Sequence, residues 1–190
     1  MDEERMEALR AEAVRLLPGL GTHGLEHTMR VLRTCRYLGE RIGADMSILL
    51  PAALLHDIGR GAEAHALEGA RLARGILEAA GYGEDEIGAV VNVISTHSFT
   101  GGRPPGSPEA MILSDADKLD AMGALGAYRA AMYSVEHERP LEEFVAHFHE
   151  KLLRLKRELF TEEARRLADS RHGFMLDFLA QLEKELDLEA

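Results

Sequence analysis

Apolar residues recur every three to four positions along most of this chain, which is the spacing of an amphipathic helix. The first such stretch covers residues 3 to 17, and Pro18 and Gly19 end it. The second covers about Gly24 to Ile42, and Gly43 follows it as a helix-ending glycine. The pattern therefore predicts helices from the first residues of the chain onward.

A third helix is predicted after Asp45 or Ser47, either of which can cap it, and it ends near Asp57. Pro51 fits this helix if it lies in the first turn. Two glycines then interrupt the chain, and helical periodicity resumes until Gly81.

Helix is also predicted from Glu84 to His97, although the run from Val90 to Ile94 alone would suit a strand. Acidic residues precede that run, as they do at helix N-termini, and no partner strand is visible. Ser98 to Pro108 is expected to be a loop. Further helices are predicted over Glu109 to about Tyr133, from Pro140 to about Phe160, and after Thr161 as a cap.

These elements predict an all-α fold that forms a single domain over residues 1–190. Its core covers about residues 21–133, and a C-terminal helical extension covers about residues 140–188. With 46% hydrophobic residues, the chain is not a disordered polyanion. The net charge of −11 argues against a nucleic acid polymer as partner, but it leaves small phosphorylated substrates open.

The sequence also indicates the cellular compartment of the protein. Cys35 is the only cysteine, so no intramolecular disulfide can form. Neither a signal peptide nor a membrane-spanning stretch is visible, and we therefore expect a cytoplasmic protein without a membrane partner. The Leu-rich C-terminal helices could support a homo-oligomer.

Residues that can bind a metal occur at three places. His27 lies early in the second helix, His56 and Asp57 follow an apolar run, and Asp117 lies among residues with a core pattern. Alone, each is better interpreted as an ordinary surface or core residue. Together they form a mixed nitrogen and oxygen set, which suits Mn²⁺, Fe²⁺, Co²⁺, Ni²⁺ or Zn²⁺ better than Ca²⁺.

The order His27, His56–Asp57, Asp117 resembles the H…HD…D motif of the HD-domain superfamily of metal-dependent phosphohydrolases. The resemblance spans about Gly21 to Tyr133, through the blocks Glu26–Val31, Ala52–Gly59 and Asp115–Gly123. It implies a helical bundle with a metal site between helices. One divalent ion (Mn, Fe, Co, Ni, Mg or Zn) would be ligated by His27, His56, Asp57 and Asp117.

The resemblance also implies a function, the hydrolysis of a small phosphorylated substrate by attack of a metal-bound water. A nucleotide or a pyrophosphate-like compound is the expected substrate. Asp57 could help to orient the water, while Arg60 and Lys118 could hold phosphate oxygens and stabilise charge in the transition state. The residues expected to contact substrate are His65, His97, Arg30 and Arg103.

Three features around the motif leave alternatives open. Relatives that bind two metals carry extra histidines in the interval that holds His65 and His97, but an adjacent histidine pair is missing, so we expect one metal. Many relatives carry His-Asp four residues before the first ligand; here Gly24 follows His23, and we do not expect His23 to be a ligand. The loop from Phe99 to Pro108 could be a lid or an ordinary surface loop.

Two other functions compete with this hypothesis. A cyclic nucleotide or cyclic dinucleotide phosphodiesterase would need the ligands of a second metal. A non-catalytic nucleotide-binding sensor would be expected to have lost one of the four ligands, whereas all four are present.

Overall fold

The structure, a computed structural model, describes residues 2–19, 21–98 and 104–189, and it is all-α over these residues, as predicted. The described part contains no β-strand, and the run from Val90 to Ile94 is helical. The elements are α1 (Glu3–Leu16), α2 (Leu25–Ile42), α3 (Met46–Leu55), α4 (His65–Ala79), α5 (Glu84–Thr96), α6 (Pro108–Asp120), α7 (Gly123–Glu136), α8 (Leu141–Glu150), a 3-10 helix (Leu152–Glu158) and α9 (Glu162–Leu186).

The chain folds into two compact units, residues 1–116 and 117–190. The first unit contains α1 to α5 and α6 as far as Ala116. In it α3 is central, because it packs against α1, α2 and α5. Every residue from Leu49 to Leu55 is buried, and a helix that is apolar on all sides belongs in such a position.

Asp45, one of the two residues predicted as a cap, is the N-cap of α3. Its carboxylate accepts hydrogen bonds from the Ser47 hydroxyl (2.6 Å) and from the Ser47 amide (2.9 Å). These donors lower the pKa of Asp45, because they stabilise the charged form. The amide of Asp45 in turn donates to the Glu109 carboxylate at 2.9 Å. The start of α3 is thus tied to α6.

Pro51 lies inside α3 and not in its first turn, the position in which a proline fits a helix best. A proline inside a helix removes one backbone hydrogen bond. Burial of the flanking residues Leu49, Leu50, Leu54 and Leu55 offsets that loss, because each buried leucine contributes roughly 1.5–3 kcal/mol.

The second unit is held together by an aromatic cluster between α8 and α9. Phe178 contacts Phe144, Phe148 and Phe174, and Phe144 also contacts Phe148, with ring centroids 5.1 to 6.3 Å apart. Thr161 caps α9, as predicted, by accepting from the Ala164 amide.

Two predicted helices are each divided in the structure. The helix expected over Glu109 to Tyr133 breaks between Asp120, the end of α6, and Gly123, the start of α7. Gly123 has a φ of +70°, which an uninterrupted right-handed helix does not contain. The helix expected from Pro140 to Phe160 ends at Glu150 and continues as the 3-10 helix. No glycine or proline marks this second break, so the pattern could not reveal it.

Among the residues described, no helix is both long and apolar enough to cross a bilayer.

Candidate metal centre

The centre of the candidate site is the His56–Asp57 pair at the end of α3. Both residues are buried, at 0% and 2% exposure. The Nδ1 atom of His56 lies 2.8 Å from the carbonyl oxygen of Ala53, which can only accept. Nδ1 therefore carries the proton, and the Nε2 atom offers its lone pair. A backbone bond of this kind orients metal-binding histidines in many proteins.

His27 of α2 faces this pair from the neighbouring helix. Its Nε2 atom lies 3.4 Å from His56 Nε2 and 3.6 Å from Asp57 Oδ2. His56 Nε2 lies 3.8 Å from the same carboxylate oxygen. Two buried imidazole nitrogens and a carboxylate oxygen thus converge, and this donor set fits a borderline divalent cation. The structure brings three of the four predicted ligands together in the first unit.

Asp117, the fourth predicted ligand, lies on α6 at the first residue of the second unit. Its role as a ligand stays a prediction. Lys118, the next residue, is buried, and its Nζ atom lies 4.9 Å from the ring centroid of Phe160. This contact restrains the ammonium group through a cation–π interaction, and the predicted role of Lys118 toward phosphate remains a prediction.

His23, which the sequence led us to set aside, lies against Asp57. Its Nδ1 atom is 3.0 Å from Asp57 Oδ2, and its Nε2 atom contacts the Arg60 guanidinium. The ligand atoms of His23, His27 and Asp57 lie within 4.8 Å of one another. A histidine four residues before the first ligand was the available signal, and the missing acid beside it obscured that signal.

His65 and His97 approach Asp57 as well. Ligand atoms of these three residues lie within 4.8 Å of one another. The Nδ1 atom of His97 donates to the Ile94 carbonyl oxygen at 2.6 Å, which leaves Nε2 as the acceptor. Asp57 is therefore common to two groups of potential ligands in the first unit.

The histidines of both groups form a continuous row of imidazole rings. Edge-to-face contacts join His23 to His27, His27 to His56, His56 to His97, and His97 to His65, with ring centroids 5.3 to 5.8 Å apart. We call these five residues the histidine row. Its members His27 and His56 direct their Nε2 atoms toward Asp57 Oδ2.

The position of His65 depends on a glycine crossing after the His56–Asp57 pair. A Cβ atom on Gly59 would lie 2.5 Å from the carbonyl oxygen of His65 and 2.8 Å from Cα of Gly69. The segment after Asp57 thus passes directly over the first turns of α4, the helix that begins at His65. Only glycine permits so close an approach.

The remaining predicted substrate residues are arginines. The Nη1 atom of Arg60 lies 3.5 Å from Asp57 Oδ1, and 36% of the Arg60 side chain is exposed. Arg30 lies 4.0 Å from Glu26 on the same helix, in an ion pair of the structural kind. A contact of either arginine with phosphate stays a prediction. Arg103 lies outside the described residues, together with residues 99–102 of the loop considered as a lid; residues 104–107 precede α6, which begins at Pro108.

Comparisons with known proteins show which family this chain resembles. The model of the HD domain family matches residues 24–122. The uncharacterized protein YpgQ of Bacillus subtilis is 36% identical over 176 residues, which cover 86% of this chain and 84% of YpgQ. The crystal structure of that YpgQ in complex with ADP is similar with a TM-score of 0.82 at 33% identity, over 95% of this chain and 97% of the other.

Two further relatives extend the comparison. An HD-superfamily hydrolase from Bacillus thuringiensis has a similar crystal structure, with a TM-score of 0.77 at 28% identity over 97% of this chain and 98% of that one. Ribonuclease Y of Pseudothermotoga lettingae is 31% identical over 119 residues, 60% of this chain, but the match spans only 22% of that ribonuclease. The matched family and its buried histidine–aspartate centre lead to one conclusion: the chain belongs to the HD-domain family.

Proposed function

We propose that this protein is a metal-dependent phosphohydrolase whose substrate is a nucleotide or a pyrophosphate-like compound. The observation that carries the proposal is the convergence of His27 Nε2, His56 Nε2 and Asp57 Oδ2 in a buried space. Three buried ligand atoms with a fixed His56 tautomer suit a cation. The ADP bound to the similar YpgQ supports a nucleotide as substrate.

In this proposal His27, His56 and Asp57 hold one divalent metal ion, and Asp117 completes the set. Such an ion supplies positive charge to a phosphoryl oxygen and lowers the pKa of water. Asp57 directs Oδ2 into the ligand space, while Oδ1 faces Arg60. The partly exposed Arg60 guanidinium is suited to a phosphate group that arrives from solvent, because its planar fork matches two phosphate oxygens.

In the proposal, His65 and His97 contact the phosphate of the substrate. Their approach to Asp57 also favours the other candidate function, a cyclic nucleotide or cyclic dinucleotide phosphodiesterase. A second cation held by Asp57, His65 and His97 would be its hallmark. Metal content distinguishes the two cases, since the proposed enzyme holds one ion per chain at full activity and the phosphodiesterase holds two.

The test is a screen of the purified protein with Mn²⁺, Fe²⁺, Co²⁺, Ni²⁺, Mg²⁺ and Zn²⁺ against nucleotides, pyrophosphate and cyclic dinucleotides. Release of phosphate or pyrophosphate from a nucleotide is expected, and Asp57→Ala should abolish it. Asp85→Ala is the matched control, because Asp85 is exposed in the first turn of α5 and belongs to neither group of potential ligands. A wild-type protein inactive with every metal, which still binds ADP, would support the non-catalytic sensor instead.

A further inference from the structure

We propose that His23 is a positioning residue that holds the Asp57 carboxylate through Nδ1 and the Arg60 guanidinium through Nε2. The inference rests on the proposed function, since it concerns a metal ligand and a phosphate-binding arginine. It assigns a role to a residue that the motif of the family does not include.

The hydrogen-bonding partners decide which form His23 takes. Arginine has only donors, so the Nε2 atom that contacts Arg60 must accept. Nδ1 then carries the proton and donates it to Asp57 Oδ2 at 3.0 Å. The hydrogen bonds run in one direction, from Arg60 to His23 and from His23 to Asp57, and they require a neutral ring.

The same contacts fix the carboxylate of Asp57. Oδ2 accepts from His23, and Oδ1 lies 3.5 Å from Nη1 of Arg60. With both oxygens held, rotation of the carboxylate is restricted. Oδ2 retains a second lone pair, which points toward the nitrogens of His27 and His56 at 3.6 and 3.8 Å. His23 therefore sets the direction in which Asp57 offers an oxygen to a cation.

The alternative is that His23 is itself a ligand. Its Nδ1 atom is directed at Asp57, and its Nε2 atom is directed at a guanidinium, which would repel a cation placed beside it. His23 is also 31% exposed, whereas His27 is fully buried. The geometry therefore favours a role through Asp57 and Arg60 over direct ligation.

The turn before α2 supports this placement. The amide of Leu25 donates to the Pro18 carbonyl oxygen at 2.8 Å, and Gly24 serves as the N-cap of α2. The backbone on the C-terminal side of His23 is thus held independently of its side chain. Side-chain variants at this position should leave the turn intact.

Two conservative substitutions separate the functions of the two ring nitrogens. The amide nitrogen of asparagine can replace Nδ1 as donor to Asp57, but asparagine is too short to reach Arg60. The amide of glutamine reaches the Nε2 position and its oxygen can accept from Arg60, but it does not restore the donor at Nδ1. His23→Asn and His23→Gln therefore each preserve one contact and remove the other.

Calorimetry with Mn²⁺ alone, followed by ADP at saturating Mn²⁺, measures both effects without turnover. His23→Gln should weaken Mn²⁺ binding about 10- to 100-fold, the usual effect of losing a group that orients a ligand, and should bind ADP normally. His23→Asn should keep the Mn²⁺ affinity and weaken ADP binding by about tenfold or more, because Arg60 loses its support. Substitution of the exposed His149 on α8 by Asn and Gln provides matched controls.

Any other outcome overturns the inference and indicates a different role for His23. Equal loss of Mn²⁺ affinity in both variants would make His23 a ligand, and no change in either would make it a bystander. In both cases wild-type protein still binds Mn²⁺, so the proposed function stands. A wild-type protein that binds no divalent metal overturns both proposals. Thermal melts of the metal-free variants verify folding, and either variant alone tests one half of the inference.

Discussion

The glycine crossing after Asp57 gives a sharp test of how the site is built. We predict that Gly59→Ala destabilises the protein and separates His65 from Asp57. The added Cβ atom would lie 2.5 Å from the carbonyl oxygen of His65 and 2.8 Å from Cα of Gly69. Non-bonded heavy atoms rest at about 3.5–4.0 Å, so the two backbone segments must separate by about 1 Å.

The expected cost follows from the atoms involved. Overpacking costs about 1–3 kcal/mol where side chains can move aside, and backbone atoms move less easily. We therefore expect a loss near the upper end, about 3 kcal/mol, which in a chain of this size lowers the melting temperature by roughly 6–12 °C. Displacement of α4 would also move His65, so the group formed by Asp57, His65 and His97 would open.

Thermal and urea unfolding of the metal-free protein measure the stability, and nucleotide turnover of the Mn²⁺-loaded protein measures the effect on the site. Gly75→Ala is the control, because Gly75 lies on the same helix and a Cβ atom there meets nothing within 4 Å. That control should stabilise the protein by about 0.4–1 kcal/mol. If the melting temperature of Gly59→Ala equals or exceeds that of wild type, the close approach of Gly59 to the His65 and Gly69 backbone is refuted.

Two further substitutions test the first unit. Asp45→Ala removes the cap of α3 and should cost about 1 kcal/mol at pH 7 in urea unfolding. Because the folded pKa of Asp45 is lowered, this stabilisation exists above the unfolded pKa and disappears as the pH falls through the folded pKa. The difference in stability between wild type and Asp45→Ala should therefore shrink below about pH 4. The difference between Asp45→Asn and Asp45→Ala should not depend on pH there, because neither side chain titrates. Thr28→Val replaces a buried hydroxyl that, within the described structure, has no hydrogen-bond partner, and should stabilise the metal-free protein by about 1 kcal/mol. Destabilisation by Val would show that the hydroxyl is satisfied.

The fold class and the centre of the site could be predicted because both leave local marks in the sequence. Helical periodicity marks α1 to α5, and the motif marks His27, His56 and Asp57, which the structure brings together. These features depend on residue type and spacing along one element. They need no knowledge of how distant segments meet.

Other features could not be predicted because they arise from tertiary contacts. His23 precedes α2 in a turn whose direction no periodicity encodes, and only the fold places it beside Asp57 and Arg60. The break after Glu150 has no glycine or proline to mark it, so local propensity does not reveal it. The one-metal expectation is equally a question of tertiary structure, because it depends on where His65 and His97 lie.

The histidine row also affects how the protein should be prepared for study. Sites rich in imidazole bind divalent ions in the order Mn²⁺ < Fe²⁺ < Co²⁺ < Ni²⁺ < Cu²⁺, with Zn²⁺ below Cu²⁺, so affinity alone does not select the ion used in the cell. A site with five imidazole rings in contact is expected to bind nickel that leaches from an affinity column, or zinc from buffers. The ion found after purification would then reflect the purification conditions and not the metal bound in the cell. Comparisons of activity between metals require protein that has first been stripped and then reloaded.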